Sequence, residues 1–447
     1  MNREEKLFYG RKPQVKNTFV LKFIISIVMF GFIANLFSCK PEQSDRLLQG
    51  EKTAAEILGN PNYLAIAYGG YRTNTRRAQP TVAQIKEDLK ILSAVGIKIL
   101  RTYNVHMPHA VNVLKAISEL KEEDADFEMY VMLGAWIDCK NAWTGFEPIH
   151  EEESERNATE IGRAVQLANE YADIVKVVAV GNEAMVKWAT AYYVLPKVIL
   201  KWVNHIQTLK SQGKFPKDTW VTSSDNFASW GGGEDVYKVE DLTKLYHAVD
   251  YVSIHTYPMH DTHYNPVFWG NMQNEMNLTA QERIDWAMRR SLEYAKSQYK
   301  AVESYMHAIG VNKPIHIGET GWATFSKGLY GANGSKACDE YKQAKYYEFM
   351  RDWTNKEGIS CFYFEAFDEI WKDAGNPRGS ENHFGLFTVE GKAKFALWKE
   401  VDKGAFTGLS RDGQVIDKTY NGQLDSLLLE VMMPPQKDSL TPKLSTP

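Results

Sequence analysis

Cysteine is scarce, 4 in 447 residues, and none stands in a CxxC pair. That excludes a disulfide-framed scaffold and a zinc ribbon. The 11 histidines are scattered without HExxH or ligand-spaced pairs, so no metal site is argued and no cofactor is expected. No GxGxxG follows the first strand-like run, which removes the warrant for a dinucleotide crevice. Positive charge is not in surplus: 52 Lys and Arg against 56 Asp and Glu leave a net −4. Nothing here would draw a phosphate backbone, and nucleic acid is not expected as a partner. What remains is an ordinary folded composition, 44% hydrophobic and 24% charged, with a generous 12% of aromatic residues.

The first forty residues differ from everything after them. Arg3, Lys6, Arg11, Lys12, Lys16 and Lys22 precede an apolar run, Phe23 to Ser38, of about 16 residues. A membrane span needs roughly 20, and the length suits a signal h-region. The run ends Leu36-Phe37-Ser38-Cys39, which resembles a bacterial lipobox. The resemblance implies a lipoprotein signal peptide over 1–38, lipidation of Cys39, and a tether over 39–57. The protein would then be exported and held to a membrane by its N-terminal lipid, in the periplasm or at the cell surface. Phe37 is bulky for its position, and a retained single-span anchor is the rival reading. Cys139, Cys338 and Cys361 remain. They are expected as buried thiols, with one disulfide as the alternative.

From about residue 58 short apolar runs alternate with helical periodicity, the signature of βαβ units. Strand-like runs fall at Tyr63–Tyr68, Ile97–Tyr103, Met129–Ala135, Val175–Gly181, Trp220–Ser223, Tyr251–His255, Pro314–Gly318 and Cys361–Phe367. Helical segments lie between them, the first capped by Thr81 with Gln84 three residues on, and an amphipathic segment at 392–401 follows the last. Eight units predict an α/β fold, a (β/α)8 barrel forming one catalytic domain over 58–403. After Gly404 the apolar pattern weakens, and 404–447 is expected to be a flexible extension.

A barrel builds its site at the C-terminal ends of its strands. The fourth run ends Val180-Gly181-Asn182-Glu183 and the seventh Ile317-Gly318-Glu319-Thr320-Gly321-Trp322. Two carboxyl groups facing one mouth are what glycosidic cleavage needs, one protonated and one ionised. These two stretches, with Tyr363-Phe364-Glu365-Ala366-Phe367-Asp368-Glu369-Ile370-Trp371-Lys372, resemble the signatures of glycoside hydrolase family seventeen, the β-1,3-glucanases, over roughly residues 60–400. Departures are Ile370 and Ala323, each where relatives commonly carry Pro, and an unmatched stretch from His260 to Thr279.

The resemblance implies a retaining, cofactor-free glycosidase acting on a β-glucan polysaccharide or oligosaccharide, with Glu183 as acid/base and Glu319 as nucleophile. It further implies Asn182 on the sugar 2-hydroxyl, Tyr257 positioning the nucleophile, and Glu369 supporting the site. Tyr68, Arg101, Tyr103 and Asn104 would line sugar subsites, with Arg101 equally readable as an ion-pair partner. Trp322 and Trp371 are candidate sugar platforms, since an aromatic face stacks on the C–H face of glucose. Asp225, Asn226, Trp136 and Asp138 are weaker rim candidates, and Glu365 is an extra carboxylate near the mouth. An endo-acting β-1,3-glucanase is the leading reading. A β-1,3-glucanosyltransferase would use the same two carboxylates, and a non-catalytic glycan-binding lipoprotein would have lost one of them.

Overall fold

The strand-forming runs close into a ring. In this computed structural model, which describes residues 52–440, eight parallel strands pair in chain order and the last returns to the first. They are β1 (Leu64–Ala67), β2 (Ile97–Arg101), β3 (Tyr130–Ala135), β4 (Val175–Asn182), β5 (Trp220–Asn226), β6 (Val252–His255), β7 (Ile315–Gly321) and β8 (Cys361–Phe364). The connecting helices are α1 (Val82–Ser93), α2 (Pro108–Glu123), α3 (Arg156–Glu170), α4 (Pro196–Ser211), α5 (Glu240–Ala248), α6 (Ala280–Ala308) and α7 (Glu340–Glu357), with α8 (Trp398–Asp402) after the last strand. The fold is the expected (β/α)8 barrel. The expected signal peptide, Cys39 and the expected tether as far as Glu51 lie outside the described residues. Among the described residues no helix is long and apolar enough to cross a membrane.

Local chemistry explains the elements. The Thr81–Gln84 capping box starts α1, the Gln84 amide N–H donating to Thr81 Oγ1 at 3.2 Å. The helix then buries Ile85, Leu89 and Leu92 against the barrel. Each fully buried side chain of this size contributes about 1.5–3 kcal/mol. Two cores result. Ala65, Ile99, Met132, Val177, Ala179 and Phe362 fill the lumen, floored by Ile57, Leu58 and Tyr63. A larger core lies between strands and helices, and strands buried on both faces read as continuous hydrophobic runs.

Several boundaries differ from the sequence reading. The barrel begins before residue 58, because the short helix Ala54–Ile57 supplies Ile57 to the floor. The segment 392–401 is helical only from Phe395, because Ala393 pairs with Phe387 in an extended bridge. Residues 404–440 are folded onto the barrel and do not form the flexible extension expected. Phe406, Ile416 and Leu427 join the larger core, Arg411 is buried, and Asn271 bridges to Gln436. Cys139, Cys338 and Cys361 are buried free thiols.

Candidate active site

Two glycine-marked irregularities turn the carboxylates into the mouth. Along β4 and β5, Ala179 pairs with Thr222 but Asn182 pairs with Ser224, so β4 carries one extra residue. Gly181 there has φ of 84°, a conformation open chiefly to glycine. Glu183 follows with φ of 46°, left-handed backbone that costs a side-chain-bearing residue on the order of 1 kcal/mol. Its N–H is held by the Ser224 carbonyl at 3.0 Å. On β7, Ile317 pairs with Ile254 and Glu319 with His255, again with one extra residue between. That residue is Gly318, where a Cβ would fall 2.1 Å from Ser253 Oγ and 2.3 Å from Ser224 Oγ.

Glu183 and Glu319 both line one cleft of about 1610 Å³ at this end of the barrel. Glu319 is nearly buried and receives three donors. Tyr257 donates to Oε1 at 2.6 Å, while Tyr103 at 2.9 Å and the Arg101 guanidinium at 2.7 Å donate to Oε2. Burial alone would raise its pKa. Electrostatic interactions with His255 and Arg101, the Tyr257 hydrogen bond and Lys372 outweigh burial and hold it low, at about 2. Burial and the Glu319 charge push both phenols well above their ordinary value, so both remain O–H donors.

Glu183 has different company. Its Oε1 hydrogen-bonds His255 Nδ1 at 3.0 Å, His255 Nε2 meets Ser224 Oγ at 2.8 Å, and Ser224 Oγ meets Ser253 Oγ at 2.9 Å. Asp225 lies fully buried behind the same loop and accepts the Met185 N–H at 2.7 Å. Burial raises Asp225 to about 7, with the Glu183 charge adding to the rise and the Met185 hydrogen bond opposing it. The arrangement therefore offers a carboxylate that is ionised at neutral pH and a second carboxyl on a partly open rim. That is the pairing a nucleophile and a proton donor require.

Arg101 ties the two together, its other guanidinium nitrogen donating to Asn182 Oδ1 at 2.5 Å. Arginine can only donate, so the Asn182 oxygen faces it and the amide NH2 is left for the cleft. Arg101 itself is buried below the cleft and takes the ion-pair role; it does not line a subsite. Asn182, Tyr257, Tyr103, Asn104, Tyr68, Glu369 and Trp371 line the cleft. The Tyr68 hydroxyl is committed to Asp88 at 2.9 Å. Trp322 does not line the cleft and is no sugar platform. It is fully buried, donates to the Ala337 carbonyl at 2.8 Å, and packs on Trp269 and Tyr346.

Trp136, Asp138 and Asn226 reach the cleft wall, whereas Asp225 and Glu365 lie behind it. Burial drives Glu365 well above the carboxylate range, despite Lys372 at 3.8 Å. Burial also raises Glu369, which lies 4.0 Å from the same lysine. The sequence reading passed over His255. His255 is the last residue of β6, whereas Tyr257 stands beyond the strand, at the start of the following helix. Trp143, Trp188 and Tyr192 were passed over too, because they stand on loops that periodicity does not mark.

Comparison with known proteins agrees with this geometry. The chain is 64% identical to an endo-laminarinase from Formosa Hel1_33_131, at a TM-score of 0.86 covering 88% of this chain and all of that one. It is 27% identical over 330 residues to a glucan 1,3-beta-glucosidase of Arthroderma benhamiae, covering 72% of this chain and 86% of the relative. It is 24% identical over 330 residues to a probable glucan endo-1,3-beta-glucosidase of Aspergillus oryzae, covering 71% of this chain but only 40% of that longer protein. A beta-1,3-glucanosyltransferase of Rhizomucor miehei shares the fold, at 19% identity and a TM-score of 0.50 over 75% of this chain and 96% of that one. The family model of the BtgE/BtgC glycoside hydrolase domain matches residues 65–385. Well over half of its length meets that description, and this chain belongs to the BtgE/BtgC glycoside hydrolase family.

Proposed function

We propose that this protein is an endo-acting β-1,3-glucan hydrolase that works by retaining double displacement. The observation that carries the reading is the division between the two glutamates. Glu319, held ionised by Tyr257, Tyr103 and Arg101, attacks the anomeric carbon. Glu183 protonates the departing oxygen and later takes a proton from water. The Asn182 amide is oriented to bind the sugar 2-hydroxyl, an interaction that strengthens in the transition state. The three strand-end motifs support membership of glycoside hydrolase family seventeen. The substrate class is supported by the endo-laminarinase likeness.

The test is a pair of variants on laminarin and on an aryl β-glucoside. Glu319→Ala should lose almost all turnover on both. Glu183→Ala should spare the aryl substrate, and added azide should give a β-glycosyl azide. An α-azide from Glu183→Ala, or azide rescue of Glu319→Ala with retained configuration, would reverse the roles. Wild-type products longer than the starting oligosaccharide would favour transfer over hydrolysis.

We further infer that the protein is an exported lipoprotein, anchored to a membrane through Cys39 after removal of residues 1–38. The basic, apolar, Leu36-Phe37-Ser38-Cys39 order supports this. Mass spectrometry of the N-terminal peptide from a membrane fraction decides it, and a retained Met1–Ser38 segment would overturn it.

A further inference from the structure

Two indoles stand on the cleft wall with most of their surface open. Trp143 is 58% exposed and Trp188 52%, and both line the cavity that holds the carboxylates. Large apolar surface kept open beside a cavity marks a binding face. Trp143 is also firmly seated. One face stacks on Tyr192, centroids 5.0 Å apart and planes 23° apart, and Tyr192 in turn meets Trp136 at 5.2 Å. Its backbone carries φ of 62° at the tip of the hairpin formed by Cys139–Lys140 and Ile149–Glu153. The Arg156 guanidinium pins that tip through the Ala142 carbonyl at 3.2 Å and Asp138 at 3.1 Å. A left-handed tryptophan held this way is presented to the cleft at a conformational cost.

We propose that the Trp143–Tyr192 stack and Trp188 form the platform for the glucosyl units on the leaving-group side of the cleaved bond. The assignment rests on the β-1,3-glucan reading above and adds the side of the cleft and the residues that bind there. The side follows from the chain. Trp188 and Tyr192 stand on the loop that leaves β4 directly after Glu183, and the Val194 N–H folds it back onto the Ala184 carbonyl at 2.7 Å. Of the charges around the Tyr192 phenol, Glu183's acts most strongly. Glu183 protonates the departing oxygen, so the sugar bearing that oxygen lies on Glu183's side. On the loop beyond the opposite strand, β8, the Trp371 ring already carries the Arg76 guanidinium at 4.3 Å. The indoles beside Glu183 keep open faces of the size and chemistry that the C–H face of a glucose ring covers.

The experiment compares wild type, Trp143→Ala, Trp188→Ala, the double variant and Trp143→Phe on two substrates. One is β-1,3-linked glucohexaose, whose leaving group is sugar. The other is an aryl laminaribioside, whose leaving group is not. Loss of the platform should lower kcat/KM on the hexaose about tenfold in the double variant, the size of one strong aromatic contact. The aryl substrate should lose far less, about twofold at most on the same energy scale. The hexaose cleavage pattern should shift toward bonds nearer its reducing end, and Trp143→Phe, which keeps an aromatic face, should recover much of the loss. Equal losses on both substrates, or no loss on the hexaose, would overturn the proposal. If the double variant does not fold, the comparison of Trp143→Phe with Trp143→Ala carries the same decision. Wild-type failure on both substrates would instead overturn the glucanase reading itself.

Discussion

Glu183 and Glu319 are the same side chain made unlike by what faces them. Glu319 receives two phenols and a guanidinium, and its pKa falls from the ordinary 4.5 to about 2. A folded-state value below the unfolded one means that the ionised form stabilises the fold. That contribution is fully present above about pH 4.5 and is lost as the pH falls toward about 2. Glu319→Gln leaves the buried Arg101 facing a neutral partner, and breaking such a pair costs about 3 kcal/mol. The variant should therefore melt below wild type at pH 7, with the gap closing as the pH drops through this window. Scanning calorimetry of both proteins across that range checks it. A gap that does not vary with pH would mean that the charge on Glu319 contributes nothing to stability. These two glutamates were readable from the sequence because strand ends in a barrel have a fixed destiny. Trp322 was not, because a tryptophan after a catalytic strand reads alike whether its ring turns to the cleft or, as here, toward Trp269 and Tyr346.

At the scale of elements, the eight strands were legible because burial on both faces writes each as an unbroken apolar run. The helices were legible from their apolar stripes and, for α1, from the Thr81–Gln84 cap. The glycine before each catalytic strand end was visible, but its consequence was not. Gly181 and Gly318 each accompany an extra residue in the ladder, and a bulge is a relation between two strands that one strand's sequence does not contain. The same holds for the Cys139–Glu153 hairpin, whose few ladder residues are too short for a period to register. His255 falls between these cases. It ends β6, and its contact with Glu183 exists only because β4, β5 and β6 stand side by side.

The whole molecule depends on a contact the sequence hid most thoroughly. Asp88 on α1 is fully buried and carries two arginines, one from each end of the described chain. Arg72 reaches it at 3.0 and 3.1 Å, and Arg411, from the segment after the barrel, at 2.9 Å. The Arg411 guanidinium also lies 4.0 Å over the Phe367 ring, just beyond β8. Asp88 accepts the Tyr68 hydroxyl as well, and Tyr68 lines the cleft. The post-barrel segment thus fastens the start of the barrel to its end at the joint where β1 and β8 close, and it bears on the cleft wall. Arg411→Ala leaves a buried carboxylate with half its positive charge, and breaking a buried pair costs about 3 kcal/mol. Denaturant unfolding should register that loss, and truncation after Gly404 should cost at least as much, since it also removes Leu427 and the Asn271–Gln436 bridge. Because Tyr68 shares the carboxylate, kcat/KM on laminarin should fall in Arg411→Ala even at temperatures where the variant stays folded. An unchanged unfolding midpoint in both variants would show that Arg72 alone satisfies Asp88 and that the segment merely rests on the barrel.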